Sequence, residues 1–271
     1  MSRYIITGGQ GFIGSKIVAA TSGRSFDLKS NLDVRDKAKL AEYVWGMDGV
    51  FHCAAKISVP ESFKMEQEYH STNVEGTRTL AHVAKEHNTK VVFSSSASVY
   101  GTIEEIVTEE SPTGPISPYA QNKLDGEQIL REEGVPTVVL RYFNVYGPGQ
   151  SDEYAGVIGI FIKKALANED ILIHGDGKQT RDFIYVDDVV EANILAMKYD
   201  KQNFNTFNIA SGDSVTVLEI AEKIIEMTNS NSEILFGPTR EGDVQDSRVD
   251  ISKARAELGW MPKVTLEEGL R

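Results

Sequence analysis

Tyr4-Ile5-Ile6-Thr7-Gly8-Gly9-Gln10-Gly11-Phe12-Ile13-Gly14 opens the chain with an apolar run, a glycine-rich turn and the first residues of a helical pattern. A pyrophosphate can sit against the free backbone amides of a helix N-terminus, where the helix dipole favours negative charge. Side chains at Gly8, Gly11 or Gly14 would hold the backbone away from it. The position on a first strand, opening a first helix, makes the motif informative.

The same grammar continues downstream. Gly49-Val50-Phe51-His52-Cys53, Lys90-Val91-Val92-Phe93-Ser94 and Thr137-Val138-Val139-Leu140-Arg141 read as strands. Between them, Asn73 to Glu86 and Tyr119 to Glu132 read as helices. Continuous apolar runs are what parallel strands buried on both faces look like. Strand-helix alternation therefore predicts a doubly wound α/β sheet with right-handed crossovers. After Gly147-Pro148-Gly149 the texture changes. A helix is expected near Val157 to Ala167, strands at Ile171–Ile173 and Phe183–Val186, and a capping box at Thr216-Val217-Leu218-Glu219. The chain stops at Leu270-Arg271, in what reads as the start of a helix, an early end that points to a missing remainder.

Composition narrows the function classes. The 271 residues hold 28 Lys and Arg against 40 Asp and Glu, a net charge of −12. A chain this acidic lacks the basic face that non-specific nucleic-acid binding needs. No apolar run approaches the roughly 20 residues that cross a bilayer. Cys53 is the single cysteine, so a disulfide framework within the chain is excluded and a reducing, cytoplasmic setting is expected. The five histidines show no metal-ligand spacing, and no metal is expected.

A second strand, Ser25-Phe26-Asp27-Leu28, brings Asp27 to the place where a carboxylate accepts hydrogen bonds from the ribose hydroxyls of NAD. Asp27 lies closer to Gly14 than is usual, so the first helix must break near Ser22-Gly23. Asp33 is placed to meet the adenine amine. Tyr119 and Lys123 are four apart, on one helix face. A phenol with a pKa of about 10 is a poor base at neutral pH. A nearby ammonium and a cationic nicotinamide would lower that value. Ser96, at the end of the strand Val91-Val92-Phe93, can share the same substrate oxygen.

Longer motifs add a resemblance. Phe93-Ser94-Ser95-Ser96-Ala97-Ser98-Val99-Tyr100-Gly101, Ser117-Pro118-Tyr119-Ala120, Leu140-Arg141-Tyr142-Phe143-Asn144-Val145-Tyr146-Gly147-Pro148, Gly175 to Asp188 and Arg240-Glu241-Gly242-Asp243 closely resemble the extended short-chain dehydrogenase/reductases. Within them the chain looks most like the UDP-glucose 4-epimerase group of nucleotide-sugar epimerases. The resemblance implies a Rossmann-type domain over residues 1–150, joined by part of 182–212, that binds NAD. It implies a nucleotide-sugar lobe over 151–271 and a homodimer through the helices at 73–86 and 119–132. It implies Ser96, Tyr119 and Lys123 as the catalytic trio. Cofactor contacts fall on Gly8, Gly11, Phe12, Ile13, Gly14, Asp27, Asp33, Val34, Ala54, Ala55, Lys56, Asn73, Ser94, Tyr119, Lys123 and Tyr142. Contacts to a UDP-sugar fall on Val59, Ser96, Asn144, Val157, Arg181, Arg240, Asp243 and Ser247. Two arginines suit a diphosphate, because guanidinium forks match phosphate oxygens.

The implied chemistry is C4 epimerisation through a 4-keto sugar. Ala97 and Ser98 stand where a 4,6-dehydratase typically carries an acidic pair, which speaks against dehydration. A uronate 4-epimerase or decarboxylase, a net oxidoreductase and a dinucleotide sensor stay open as alternatives. Ser247 stands where some family members carry a large aromatic residue, so an N-acetylated sugar is expected to fit. The segment between Gly14 and Asp33 is short for the family.

Overall fold

The protein is described by a computed structural model covering residues 3–102, 105–150, 156–239 and 247–271. Six parallel strands form the central sheet: β1 (Tyr4–Thr7), β2 (Arg24–Phe26), β3 (Gly49–His52), β4 (Lys90–Ser96), β5 (Thr137–Tyr142) and β9 (Phe204–Ile209). Their order is β2-β1-β3-β4-β5-β9. The chain leaves β1 toward β2 and then crosses to β3 on the other side. That reversal opens a crevice at the carboxyl ends of β1 and β3, where ligands of such sheets bind. The registers Thr7 with His52, His52 with Phe93, and Ser96 with Tyr142 bring the strand ends to one edge.

Both faces are covered. On one, α1 (Phe12–Thr21) packs beside α8 (Val186–Lys198), over Ile6, Ile17, Val92, Leu140 and Phe207. On the other, α2 (Lys37–Val44), α5 (Gly76–Glu86) and α6 (Pro118–Glu132) bury Val50, Leu80, Val91, Phe93 and Leu130. Burial on both faces explains why these strands carry unbroken apolar runs. The first helix is short, as expected. Thr21 ends it and Ser22 takes the left-handed conformation, with φ 53°. β2 forms the sheet's edge. Among the described residues no strand lies outside it.

The remaining strands build a smaller lobe. β6 (Asn144–Tyr146) pairs parallel with β8 (Thr180–Tyr185), which pairs antiparallel with β10 (Ser214–Thr216). β7 (Ile171–His174) pairs parallel with β11 (Ile234–Gly237). Between them α7 (Val157–Leu166) and α9 (Val217–Thr228) share a core of Ile158, Phe161, Ile220 and Ile224. The capping box of α9 forms as expected, with Thr216 and Glu219 each bonding the other's backbone.

Two element boundaries differ most from the sequence reading. The strand expected at 183–186 begins at Thr180, because pairing with β10 recruits its polar residues, and Val186 already starts α8. The helix expected from Asn73 begins earlier: after the short α3 (Val59–Ser62), α4 (Glu66–His70) passes into α5 through a π turn at Ser71–Glu75.

Candidate active site

The glycine turn is set by close approach. Gly8 has φ +68°, and a Cβ there would lie 2.7 Å from the Ala54 nitrogen. A Cβ at Gly14 would lie 2.2 Å from the Gly8 carbonyl oxygen. These two glycines let β1, the end of β3 and α1 converge. Gly11 is different. A Cβ there would meet only the Gly8 carbonyl oxygen, at 3.2 Å, and Gly11 caps α1 without any side-chain hydrogen bond. A bare helix terminus at Phe12, Ile13 and Gly14, where a Cβ at Gly11 would crowd the Gly8 carbonyl, fits the pyrophosphate of a dinucleotide.

Asp27 follows β2 and is buried. One carboxylate oxygen accepts from the Gln10 N–H and the other from the Lys29 N–H, both at 2.9 Å. The carboxylate is thereby held in place, and each oxygen keeps acceptor capacity for a ribose hydroxyl. Asp33 is gripped by Arg35, whose Nε lies 2.9 Å from Oδ1, and this holds the carboxyl below its ordinary range. The Val34 side chain belongs to the core under α5, so only its backbone remains to meet a ligand. Ala54 and Ala55 continue from β3. The buried Asn73, in the π turn, clamps Lys56 at two points. Its Oδ1 accepts from the Lys56 N–H at 2.8 Å, and its Nδ2 donates to the Lys56 carbonyl at 2.9 Å. The Lys56 ammonium pairs with Glu68 at 2.7 Å.

α6 delivers the candidate acid-base pair. The Ser117 hydroxyl caps the helix by accepting from the Ala120 N–H at 3.2 Å, and Pro118 occupies its first position. This start places Tyr119 and Lys123 in the first two turns, against the end of β4. The buried Lys123 ammonium donates to the Ser94 carbonyl at 2.7 Å and lies 5.3 Å from the Phe93 ring centre. Burial pushes its pKa down to about 8. The Ser94 hydroxyl lies 3.2 Å from the Tyr142 hydroxyl, which donates to Asn193 at 3.0 Å. Tyr119 stands beside Ser96. Burial raises its phenol above the ordinary value, and the Ser96 hydroxyl is the influence that lowers it. The sequence reading gave that lowering to the Lys123 ammonium together with a cationic nicotinamide; one of the three Lys123 ammonium hydrogens goes to the Ser94 carbonyl.

A cavity of about 250 Å³ joins these groups to the smaller lobe. Val59, Ser96, Tyr119, Tyr142, Asn144, Arg181 and Ser247 line it. A second, of about 60 Å³, shares Asn144 and Arg181 and continues to Val157 and Ile158. Asn144 is fixed through its Nδ2, which donates to the Asp182 carbonyl at 2.9 Å. Ser247 is tied to β8 by its N–H, 3.1 Å from Thr180 Oγ1. The residues expected at a sugar and those expected at a nucleoside thus border two adjacent spaces, with Asn144 and Arg181 on the walls of both. Arg240 and Asp243 lie outside the described residues.

Sequence reasoning missed Ser98, Tyr100, Val107 and Phe143 in the lining of the larger cavity. Ser98 and Tyr100 sit inside a quoted motif, and the turn Ala97–Tyr100 that aims them is a single 3₁₀ turn, too short for periodicity to show. It also missed the buried pair of Glu127, on α6, and Arg141, on β5, whose nitrogen and oxygen approach to 2.6 Å. Glu127 is two helical turns beyond Tyr119, a spacing that could have flagged it. Among the described residues no cluster of His, Cys, Asp and Glu is placed to hold a metal ion. No described helix is long and apolar enough to cross a membrane.

The profile of the NAD dependent epimerase/dehydratase family matches residues 4–210. The chain belongs to this family. It is an NAD-dependent enzyme, and the uncapped N-terminus of α1 fits that cofactor. Relatives of this family member include the UDP-glucose 4-epimerase of Mycolicibacterium smegmatis, 35% identical over 99% of this chain and 96% of that protein. The UDP-N-acetyl-alpha-D-glucosaminuronate decarboxylase of Bacillus cytotoxicus is 34% identical over 99% of this chain and 95% of that protein. A solved UDP-N-acetylglucosamine 4-epimerase from Methanobrevibacter ruminantium, in complex with UDP-N-acetylmuramic acid, superposes with a TM-score of 0.93 at 35% identity, covering 100% of this chain and 96% of that one. The alignment to the Mycolicibacterium protein runs over 303 positions against 271 residues here, so that relative carries residues this chain omits.

Proposed function

We propose that this enzyme inverts C4 of a UDP-hexose or UDP-N-acetylhexosamine, with Tyr119 as the proton acceptor. The observation that carries the reading is the continuous space from Tyr119 and Ser96 to Asn144 and Arg181. One end offers a proton-transfer pair beside the dinucleotide cradle, and the wall shared by both spaces offers a guanidinium suited to a diphosphate.

In this reading Tyr119, as phenolate, takes the proton of the sugar 4-hydroxyl and later returns it to the 4-oxygen, when C4 takes its hydride back on the opposite face. Ser96 donates to the same sugar oxygen, and Lys123 holds the nicotinamide ribose. Bound NAD supplies the hydride acceptor at C4 and a positive charge that favours the phenolate. Arg181, with Arg240 and Asn144, anchors the diphosphate while the 4-keto sugar turns over within the cavity. Anchoring at the far end and freedom at the reacting end are what inversion without net redox change requires. The main-sheet residues, 1–150 with part of 182–212, hold the cofactor. Residues 151–271 hold the nucleotide sugar. Ser247, small and on the wall of the larger cavity, leaves space for an acetamido group. The active form is a cytoplasmic homodimer, joined through α5 and α6.

Separate incubations with UDP-glucose, UDP-N-acetylglucosamine and UDP-glucuronate, followed by proton NMR of the C4 epimers, test the reading. Epimers are expected from the first two, with no net NADH. Release of carbon dioxide and a UDP-pentose from the glucuronate would favour the decarboxylase alternative instead. A Tyr119→Phe variant with full turnover would end the proposed mechanism.

A further inference from the structure

Ser96 ends β4 and caps the turn Ala97–Tyr100. Its Oγ accepts twice from residue 98. The Ser98 N–H lies at 3.2 Å and the Ser98 hydroxyl, as donor, at 2.9 Å. A serine oxygen has two lone pairs and one hydrogen. With both lone pairs engaged, the Ser96 hydroxyl acts only as a donor. Tyr119 stands beside it, on the wall of the same cavity.

We infer that Ser98 is a positioning residue for proton transfer: by donating to Ser96 it fixes that hydroxyl as a donor, its one hydrogen aimed at the Tyr119 oxygen in the protein as purified and available to the reacting alcohol when substrate is bound. The inference rests on the reading of Tyr119 as the base. A donor chain from Ser98 through Ser96 stabilises negative charge on the phenol, and each link polarises the next. Without the Ser98 hydroxyl, one Ser96 lone pair is released and can face Tyr119, where it opposes the phenolate. The backbone half of the arrangement survives in a Ser98→Ala variant, because the Ser98 N–H remains to satisfy the cap. The proposed role therefore separates from the folding of the turn.

The experiment follows tyrosine ionisation by phenolate absorbance in the protein as purified. The Tyr119 step is the one lost in Tyr119→Phe. The other titratable groups around it are Lys123 on its own helix, His52 and Cys53 at the end of β3, Tyr142 on β5, Tyr100 in the turn and Arg181 across the cavity. All are unchanged in the variants. Ser98→Ala is expected to move the Tyr119 step up by about one pH unit, and Ser98→Thr, which keeps a hydroxyl, to restore it. In turnover, Ser98→Ala should lower kcat about 10-fold with KM little changed, and the rising limb of its pH profile should shift upward. A purely structural role would alter thermal stability or KM and leave the titration in place. An unmoved Tyr119 step in Ser98→Ala overturns the inference, whatever the substrate proves to be. A moved step in a protein that epimerises no UDP-sugar upholds it and rejects the proposed reaction.

Discussion

His52 shows how one buried side chain sets the pH behaviour of the molecule. Its ring bridges two hydroxyls, 2.6 Å from Thr7 Oγ1 and 3.0 Å from Thr77 Oγ1. Burial, with the Lys123 charge nearby, pushes its pKa down to about 3. In the unfolded chain histidine takes its proton at about pH 6.5. Between these values the unfolded state binds a proton that the folded state refuses. Stability therefore falls as pH drops from about 6.5 toward 3, at up to ~1.4 kcal/mol per unit, and His52 contributes no slope above that window. Urea midpoints measured across the window check this. His52→Gln should flatten the dependence, and an unchanged slope would show that the ring charges freely. Glu127 and Arg141 make a second case, since both are buried and Ser95 also donates to Glu127. Arg141→Met strands a carboxylate and should cost about 3–5 kcal/mol, most of it recovered by adding Glu127→Leu. Full cost in the double variant would show that packing, not charge, holds the pair. At this scale the sequence was legible where spacing encodes direction. Tyr119 and Lys123 share a face because they are four apart. The partner of the Lys123 ammonium was not legible, because a backbone carbonyl leaves no mark in side-chain spacing.

Gly126 governs how closely α6 lies on β4. A Cβ there would stand 2.7 Å from the Phe93 ring tip, and Phe93 is buried with its ring against that of His52. Gly126→Ala should therefore lift the helix, costing about 1–3 kcal/mol despite alanine's better helix propensity. Because Tyr119 and Lys123 ride on the same helix, kcat should fall along with Tm. A variant as active and as stable as the parent would show that α6 has slack. Strands and long helices were readable because burial on both faces leaves continuous apolar runs and burial on one face leaves a stripe. The π turn at Ser71–Glu75 was not, since one extra residue per turn hardly disturbs the periodicity around it. Yet that turn carries Asn73 to the Lys56 backbone. β8 was read too short because its first residues are polar and owe their strand conformation to pairing with β10.

The whole molecule joins its two parts by repeated crossings rather than by a single hinge. β5 runs through Phe143 into β6, and α8 and β9 return the chain to the main sheet. The sheet's parallel order was legible from strand-helix alternation. The return of Phe204–Ile209 to the β5 edge, within the 182–212 that the family resemblance joined to the domain, rests on a pairing distant in sequence, which no local pattern encodes. Light scattering tests the proposed dimer: a mass of about twice 29.9 kDa is expected, and a monomer would reject it. The late arrival of β9 has its own cost during synthesis. The nascent chain emerges N-terminus first, at about 5–20 residues per second. All six residues of β5 are buried in the finished sheet, and until Phe204 leaves the ribosome their outer edge has nothing to pair with. The interval from Tyr142 to Phe204 lasts roughly 3–12 s at that rate. For that time the half-built protein offers a chaperone, or a neighbouring polysome, an open apolar strand.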